Sequence, residues 1–408
     1  MIPPRRNPLH PVRQPVPLLA AHSRTVHGLT AAAAEGAFRL QICRACAAVI
    51  YPPRDACPRC LAADLPFRPV DNAGTLLSET TIHISGETHF RERAPWRIGT
   101  VQLVCGPMVV AHLDAQVRPG QRVGLQLLLD RTGAPAMVAL ASPGDLSMLD
   151  ERQSEEFTCG PRHRRVLVTD GRTDIGQAVV HELRAAGASL VFVGIADPWK
   201  PFPGEPELRA LAGVDIVALD VTDSASVAEC AAQIGARVDI LINTAEHVRA
   251  GGMLAAGGVE VAREAMERRS LGLLRLAQSF GPILKARGAE DHVSAAAFVN
   301  LLAAHALMNW PAYAASSAAE AATLSLSQGL RAELRAGCIR VLNVFVGPVE
   351  TEWFQALPPP KVAPATLARA VISALRSGIE ECYVGDVAQD LRARLAANPK
   401  ALERELGG

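Results

Sequence analysis

The hydrophobic rhythm of the chain changes near His163. Before that point apolar residues come in short runs: GTLLSETTIHI, RIGTVQLVC, PMVVAHLDA, QRVGLQLLL and APAMVALA, separated by Gly, Pro or Asp. Short, evenly spaced runs of this kind, punctuated by turn residues, predict a small antiparallel barrel. After His163 the apolar runs are RRVLVT, SLVFVG, VDIVALD, DILINTA, VSAAAFVNLLA and IRVLNVFVG. Helical segments lie between them: IGQAVVHELRAAG, DSASVAECAAQIG, EVAREAMERRSLGLLRLAQSFGPILKARG and the alanine-rich stretch from Tyr313 to Ala336. Continuous apolar strands alternating with helices predict a doubly wound parallel α/β sheet, covered on both faces. No internal repeat is visible.

The expected organisation is therefore multidomain, as a 408-residue chain allows. Residues 1–36 read as a Pro-rich arm and a short helix over 22–36 that Gly36 ends, residues 37–70 as a cysteine-bearing module and 71–145 as the barrel. Residues 146–162 read as a polar linker, and 163–408 as the Rossmann-like domain. Lysine plus arginine equals aspartate plus glutamate at 41 each, so the chain as a whole has no electrostatic reason to seek nucleic acid or an anionic membrane. No apolar run is long enough for a signal peptide or a spanning helix.

Four of the nine cysteines fall within 18 residues, as Cys43-x2-Cys46, ten residues, then Cys57-x2-Cys60. Two such tight turns converge four thiolates on one tetrahedral ion, so a closed structural zinc site is expected. Two disulfides are the alternative. The other five cysteines are scattered, which fits a reducing cytoplasm with one metal site better than a disulfide framework.

The segment FRLQICRACAAVIYPPRDACPRC, with Tyr-Pro-Pro-Arg at 51–54 and then a five-strand barrel carrying Pro95-Trp96 before a strand, resembles the acyl-CoA-associated OB-fold family with a rubredoxin-like zinc ribbon. The match covers roughly residues 30–145. It implies a non-catalytic partner of a thiolase, a thiolase-like aldolase or a related acyl-CoA enzyme, with the barrel contacting a CoA thioester or the partner. A single-strand nucleic-acid module is the competing use of such folds. Residues 36–145 hold eleven arginines and no lysine against nine acids, and HFRERAPWR is their concentrated basic-aromatic patch. That is too little charge to favour nucleic acid.

The second half resembles the short-chain dehydrogenase/reductase family. RRVLVT, Asp220-Val221-Thr222-Asp223, LINTA, Tyr313 at the head of the alanine-rich helix, and VGPVET at 346–351 follow that family's order and spacing. The resemblance implies NAD(P) binding at Gly171, Gly176, Asp220 and Asn243, and catalysis at Tyr313. The sequence departs from the pattern at several of these points. The glycine pattern TGxxxGxG reads Thr169-Asp170-Gly171-Arg172-Thr173-Asp174-Ile175-Gly176, with aspartates at two glycine positions. Each adds a side chain and a negative charge where a phosphate should approach, and Asp174 is expected to cap the helix in its place. A shifted loop in which Arg172 compensates is the alternative. The ribose-binding acid is expected near Gly194, and the nearest candidate is Asp197. The family's Asn-Asn-Ala-Gly reads Asn243-Thr244-Ala245-Glu246.

In this family a lysine four residues after the tyrosine lowers its pKa, and a serine polarises the carbonyl. A tyrosine otherwise ionises near pH 10. Here Ser317 takes the lysine position, Ala303 the serine position and Arg269 the position of the family's helix asparagine. Tyr313 then reads as a packing residue, and His305 as structural. A fold kept while its chemistry is lost points to binding or assembly. The expected function is a CoA-binding scaffold subunit of a thiolase-type complex, with a pseudo-dehydrogenase domain used for assembly. A thiolase-like enzyme, and an active short-chain dehydrogenase, are the expected partners in a hetero-oligomer. The alternative is an active NAD(P)-dependent dehydrogenase acting on a 3-hydroxyacyl-CoA-type substrate.

Overall fold

The computed structural model describes residues 24–85, 94–142, 146, 149–254, 257–288 and 295–407. The Pro-rich arm and residues 89–93 of the basic-aromatic segment lie outside the described residues. Helix α1 (Val26–Ala34) is shorter at both ends than 22–36. It leads into a three-stranded antiparallel sheet of β1 (Arg39–Ile42), β2 (Val49–Ile50) and β3 (Phe67–Pro69), in the order β2-β1-β3.

The barrel follows: β4 (Ala73–Ile82), β5 (Trp96–Leu103), β6 (Met108–Leu113), β7 (Arg122–Leu129) and β8 (Pro135–Leu140). The five apolar runs are its five strands, closing in the order β4-β5-β6-β8-β7, and the expected all-antiparallel pairing is corrected at β6 and β8, which run parallel because β8 returns through β7 to close the barrel. Alternation does the sorting. Along β5, Gly99, Val101 and Leu103 face inward with Leu76, Leu113 and Leu125, while Thr100 and Gln102 face out. The expected linker contains a helix, α2 (Glu151–Phe157), capped by Asp150, which accepts from the Gln153 amide at 2.8 Å. Phe157 and Gln153 are buried against the barrel, so this segment is a packed spacer rather than a free tether.

The parallel sheet contains β9 (Arg165–Val168), β10 (Leu190–Ile195), β11 (Val214–Ala218), β12 (Ile240–Asn243), β13 (Ala297–Ala303), β14 (Arg340–Val346) and β15 (Glu381–Val384). The order is β11-β10-β9-β12-β13-β14-β15, all parallel. The edge strand β15 was not among the expected strands, because ECYV is too short and polar to stand out. Helices α3 (Asp174–Ala185), α4 (Glu205–Ala210), α5 (Ser224–Ile234), α6 (Gly258–Ala265), α7 (Gly272–Arg287), α8 (Ala314–Leu334), α9 (Pro364–Ser377), α10 (Gly385–Ala397) and α11 (Pro399–Leu406) cover its faces and its β15 end. Between α6 and α7 the chain makes a π-helical turn, Met266–Leu271. The order in which strands are added reverses between β9 and β12, and in such sheets the crevice at the carboxyl ends of those strands receives ligands.

The barrel docks at the opposite end. Arg340, the first residue of β14, is buried and donates to the carbonyls of Phe157 (3.2 Å), Leu129 (2.9 Å) and Asp130 (3.1 Å). Arg335 donates to Thr132 O at 2.8 Å, and Arg131 to Gly288 O at 2.6 Å. At the far edge the Glu380 amide donates to Ala34 O at 2.8 Å, and Arg392 pairs with Glu35 at 2.7 Å. The amino ends of the strands are thus covered by the barrel, and the carboxyl ends are left for the crevice. Replacing Arg340 with alanine strips three carbonyls of their donor, at a cost of about 1–3 kcal/mol. The expected outcome for Arg340→Ala is a lower urea midpoint and faster proteolysis within residues 141–162. An unchanged digest would show that the guanidinium does not hold the two halves together.

Candidate functional site

Two constellations carry the chemistry. The first is the cysteine cluster. In each half, a Cys-x2-Cys turn ends on a residue with positive φ: Ala47 at 56° and Leu61 at 61°. The turns are built alike, with the Ala47 amide on Cys43 O and the Leu61 amide on Cys57 O, each at 2.9 Å. Sγ of Cys43 lies 3.5 Å from that of Cys60, and Cys46 lies 3.6 Å from Cys57. All four sulfurs fall within 4.8 Å of one another. Thiolates about 2.3 Å from a tetrahedral zinc stand about 3.8 Å apart, so the donor set fits that ion. Cys43 and Cys57 are buried and no open coordination position is left for water, which makes the site a brace.

The second is the crevice at the β9/β12 switch point. Its glycine loop keeps Gly171 and Gly176 because the protein itself leaves them no room. A Cβ on Gly176 would sit 1.9 Å from Asp170 O, and one on Gly171 would sit 2.0 Å from Val193 Cγ1. The expectation that Asp174 caps α3 is corrected. Thr173 is the N-cap, its Oγ1 accepting from the Gly176 amide at 3.0 Å, because it is the last residue with extended backbone. Asp174 is the first helical residue and sits exposed at the positive end of the helix, where its charge is favourable. Arg172 is drawn across the loop between two acids. Its Nε lies 3.5 Å from Asp170 and its Nη1 3.2 Å from Asp197, the residue singled out for the ribose. Asp220 spends its carboxylate locally, accepting from the amide and hydroxyl of Thr222 at 2.9 and 2.7 Å.

Asn243 is buried in a polar row the sequence reading did not foresee. It stands in register with Asn300 on β13, which pairs with Asn343 on β14. Thr169 Oγ1 and Asn243 Oδ1 lie 3.2 Å apart, Asn300 donates to Ser327 at 3.0 Å, and Ser327 donates to Asn343 at 2.6 Å. The row ties the sheet to α8. A repeated asparagine in three apolar strands was its visible signal.

At the reaction position of the family, Tyr313 is buried and flanked by His305 and Phe354, whose ring centroids lie 6.4 and 5.9 Å away. Ser317, in the lysine position, accepts from the Trp310 amide at 3.1 Å and so supports the turn before α8. Positive charge comes from elsewhere. Arg269, placed inward by the π turn, is 3% exposed and pairs with the equally buried Glu320, its Nε 2.5 Å from Oε1 and its Nη2 2.9 Å from Oε2. It also donates to Ala245 O, and to Leu301 O at 2.6 Å. Glu320 in turn accepts from the amide of Ala303, the residue in the serine position, at 3.2 Å. Glu320 was missed; the signal was one acid two helical turns beyond Tyr313, in an otherwise Ala/Ser-rich face.

The space left among Arg269, Glu320, Glu246, Ile175, Gly347 and Phe354 is about 30 Å³, room for a water or two. Burial lifts the Glu246 carboxyl to about 7, against the nearby Arg269 charge, which lowers it. Burial also drops His305, and His112 in the barrel, to about 4. His112 accepts from the Trp96 indole N–H at 2.7 Å, so its neutral form is built into the barrel.

The fold and crevice define a short-chain dehydrogenase/reductase domain behind a zinc-ribbon and OB-fold module. A family model described as Enoyl-(Acyl carrier protein) reductase matches residues 171–385, and the chain belongs to that family. The ChsH2 rubredoxin-like zinc ribbon model matches residues 30–66, and the ChsH2 C-terminal OB-fold model residues 67–127. Among solved structures, a short-chain dehydrogenase from Burkholderia cenocepacia J2315 in complex with NADP is 32% identical, at a TM-score of 0.54 over 60% of this chain and 98% of that one. Among curated proteins, a farnesol dehydrogenase of Aedes aegypti is 26% identical over 46% of this chain and 77% of its own length. The short-chain dehydrogenase ptmH of Penicillium ochrochloron is 33% identical over 37% of this chain and 56% of its own. No helix among the described residues is long and apolar enough to cross a membrane.

Two outcomes follow. Glu320→Gln leaves Arg269 buried without its counter-charge and should destabilise the protein by about 3–5 kcal/mol in urea unfolding, whereas an apolar pair such as Arg269→Met with Glu320→Leu should recover most of that loss. For His305 the folded pKa lies below the unfolded one, so the unfolded chain takes up the proton first. Its contribution is full above about pH 6.5 and is lost as pH falls toward 4, by roughly 3 kcal/mol. Glu246, with a raised folded pKa, works in the opposite sense, losing stability as pH rises from about 4.5 through 7. The difference between wild type and His305→Phe across pH 4–7 isolates the histidine, and parallel curves would refute the assignment.

Proposed function

We propose that this chain is a non-catalytic subunit of a thiolase-type acyl-CoA complex, in which the zinc-ribbon and OB-fold half docks the partner and presents the CoA thioester. The dehydrogenase-like half serves as a second assembly surface. The observation that carries this reading is the buried Arg269–Glu320 pair, which takes the family's asparagine position at Arg269 and bonds the serine position at Ala303, while Ser317 stands in place of the lysine. A guanidinium neutralised by its own carboxylate supplies no net positive charge in place of the missing lysine.

Three features of the crevice support the reading that it takes no dinucleotide. Asp170 and Asp174 take two of the three glycine positions at the phosphate-binding turn, Arg172 is held by Asp170 and Asp197, and the space beside Arg269 and Glu246 is narrow. Zinc, when bound by Cys43, Cys46, Cys57 and Cys60, supplies folding energy to the docking module and no chemistry. No disulfide joins any of the described cysteines, which is in keeping with a reducing cytoplasm. The ChsH2-type modules resemble those of hetero-oligomeric partner subunits, and the likeness is the reason for naming a thiolase-like enzyme, with an active short-chain dehydrogenase as a further partner.

An active NAD(P)-dependent enzyme acting on a 3-hydroxyacyl-CoA is the second reading. It rests on the retained Tyr313 and on the NADP complex of the Burkholderia relative. Calorimetry with NAD(H) and NADP(H), combined with a turnover assay on a 3-hydroxyacyl-CoA, separates the two. The expected outcome is neither binding nor turnover, with a thiolase-like protein co-eluting when the tagged chain is purified from its native source. Tight cofactor binding with turnover would overturn the scaffold reading.

A further inference from the structure

The turn that joins β9 to α3 carries an anion of its own. Asp170 leaves β9 with its main chain pinned, its amide donating to Thr244 Oγ1 at 3.0 Å and its carbonyl accepting from that hydroxyl at 3.1 Å. Its carboxylate, 13% exposed, lies over the turn. There Oδ1 accepts from the Arg172 amide at 3.0 Å and stands 3.5 Å from Arg172 Nε. The peptide is held from behind as well: the Gly171 amide donates to Gly194 O at 2.9 Å, and Arg172 O accepts from Gln177 Nε2 at 3.4 Å. Asp197 takes the outer end of the guanidinium.

A main-chain N–H at a strand-to-helix turn and a guanidinium beside it are donors that a diphosphate takes. Here one carboxylate takes both. A plain turn needs only the amide bond. The guanidinium is the addition: exposed ion pairs stabilise little, yet Arg172 is drawn back over the turn, 23% exposed, with a carboxylate at each end. Asp174 shares none of these bonds and stands exposed at the start of α3. The narrow space beside Arg269 and Glu246 is lined by neither Asp170 nor Arg172, so it is a separate obstacle.

We propose that Asp170 is an internal ligand that decides what this crevice accepts. Its carboxylate takes the two donors a diphosphate would use, with Arg172 as its counter-ion, and a nucleotide is turned away at the β9–α3 turn rather than in the narrow inner space. This assignment rests on the reading that the crevice takes no dinucleotide, and it places the exclusion on one side chain.

Calorimetry on the full chain tests it with ADP, which brings a diphosphate and no nicotinamide and so reads the turn apart from the inner space. Asp170→Gly should bind ADP at one equivalent and about tenfold or more tighter than wild type, with affinity falling as salt is raised. Asp170→Ala, which keeps a Cβ in the turn, should gain in the same direction and serves where glycine loosens the fold. Asp174→Gly alone should gain less than about threefold, although it too removes one charge. Arg172→Ala should gain nothing in the wild-type chain, and should take away the gain of Asp170→Gly, where the freed guanidinium meets the diphosphate. An Asp170 variant with the wild-type urea midpoint and the wild-type ADP affinity would overturn the internal ligand, as would an Asp174→Gly gain equal to that of Asp170→Gly. A separate titration of wild type with NADP+ keeps the two readings apart. If NADP+ does not bind and no variant gains ADP, the internal ligand alone fails. If NADP+ binds wild type tightly, the non-catalytic reading fails and takes this inference with it.

Discussion

A buried ion pair between Arg269 and Glu320 organises the carboxyl end of the parallel sheet. Two charges removed from water cost several kcal/mol each, which is recovered when both are fully paired and hydrogen-bonded. Here they are. Arg269 also feeds two backbone carbonyls, and Glu320 takes an amide. The π turn that admits Arg269, the alanine at position 303 and the serine at 317 all accommodate it: a serine hydroxyl or a lysine in those places would compete for the same carboxylate.

Around the pair, the residues of the crevice satisfy one another instead of waiting for a ligand. Thr173 occupies an amide that starts α3, Asp174 answers its dipole, and Arg172 closes the loop against Asp170 and Asp197. The pattern glycine that survives, Gly176, is the one whose side chain would strike the backbone of Asp170. Positions whose glycine would serve only a phosphate have become aspartate. The packing requirements of the fold and the binding requirements of a cofactor can thus be told apart residue by residue.

The molecule is two-ended. The barrel grips the amino ends of the strands through Arg340, Arg335 and Arg131, all donating to main-chain carbonyls. The ribbon's neighbour α1 is fastened at the β15 edge through Glu380 and Arg392. Zinc braces the module at one end of this contact chain while the crevice opens at the other. A partner held by the ribbon and barrel therefore leaves the crevice accessible.

Much of this was legible in the residues. The metal site needed only spacing, because Cys-x2-Cys turns are local and their geometry follows from a few bonds. Five barrel strands and six of the seven sheet strands follow from period and punctuation. The loss of lysine, serine and glycines could be read position by position. The short strand β15 and the helix α2 could not, since neither has enough apolar residues to show a period, and each exists by packing against something distant in sequence. The same holds for Glu320, which lies 51 residues from Arg269, and for the asparagine row that crosses three strands. The sequence by itself determined which groups were missing. Only the tertiary structure decided what took their place, because a buried charge chooses its partner through space and not along the chain.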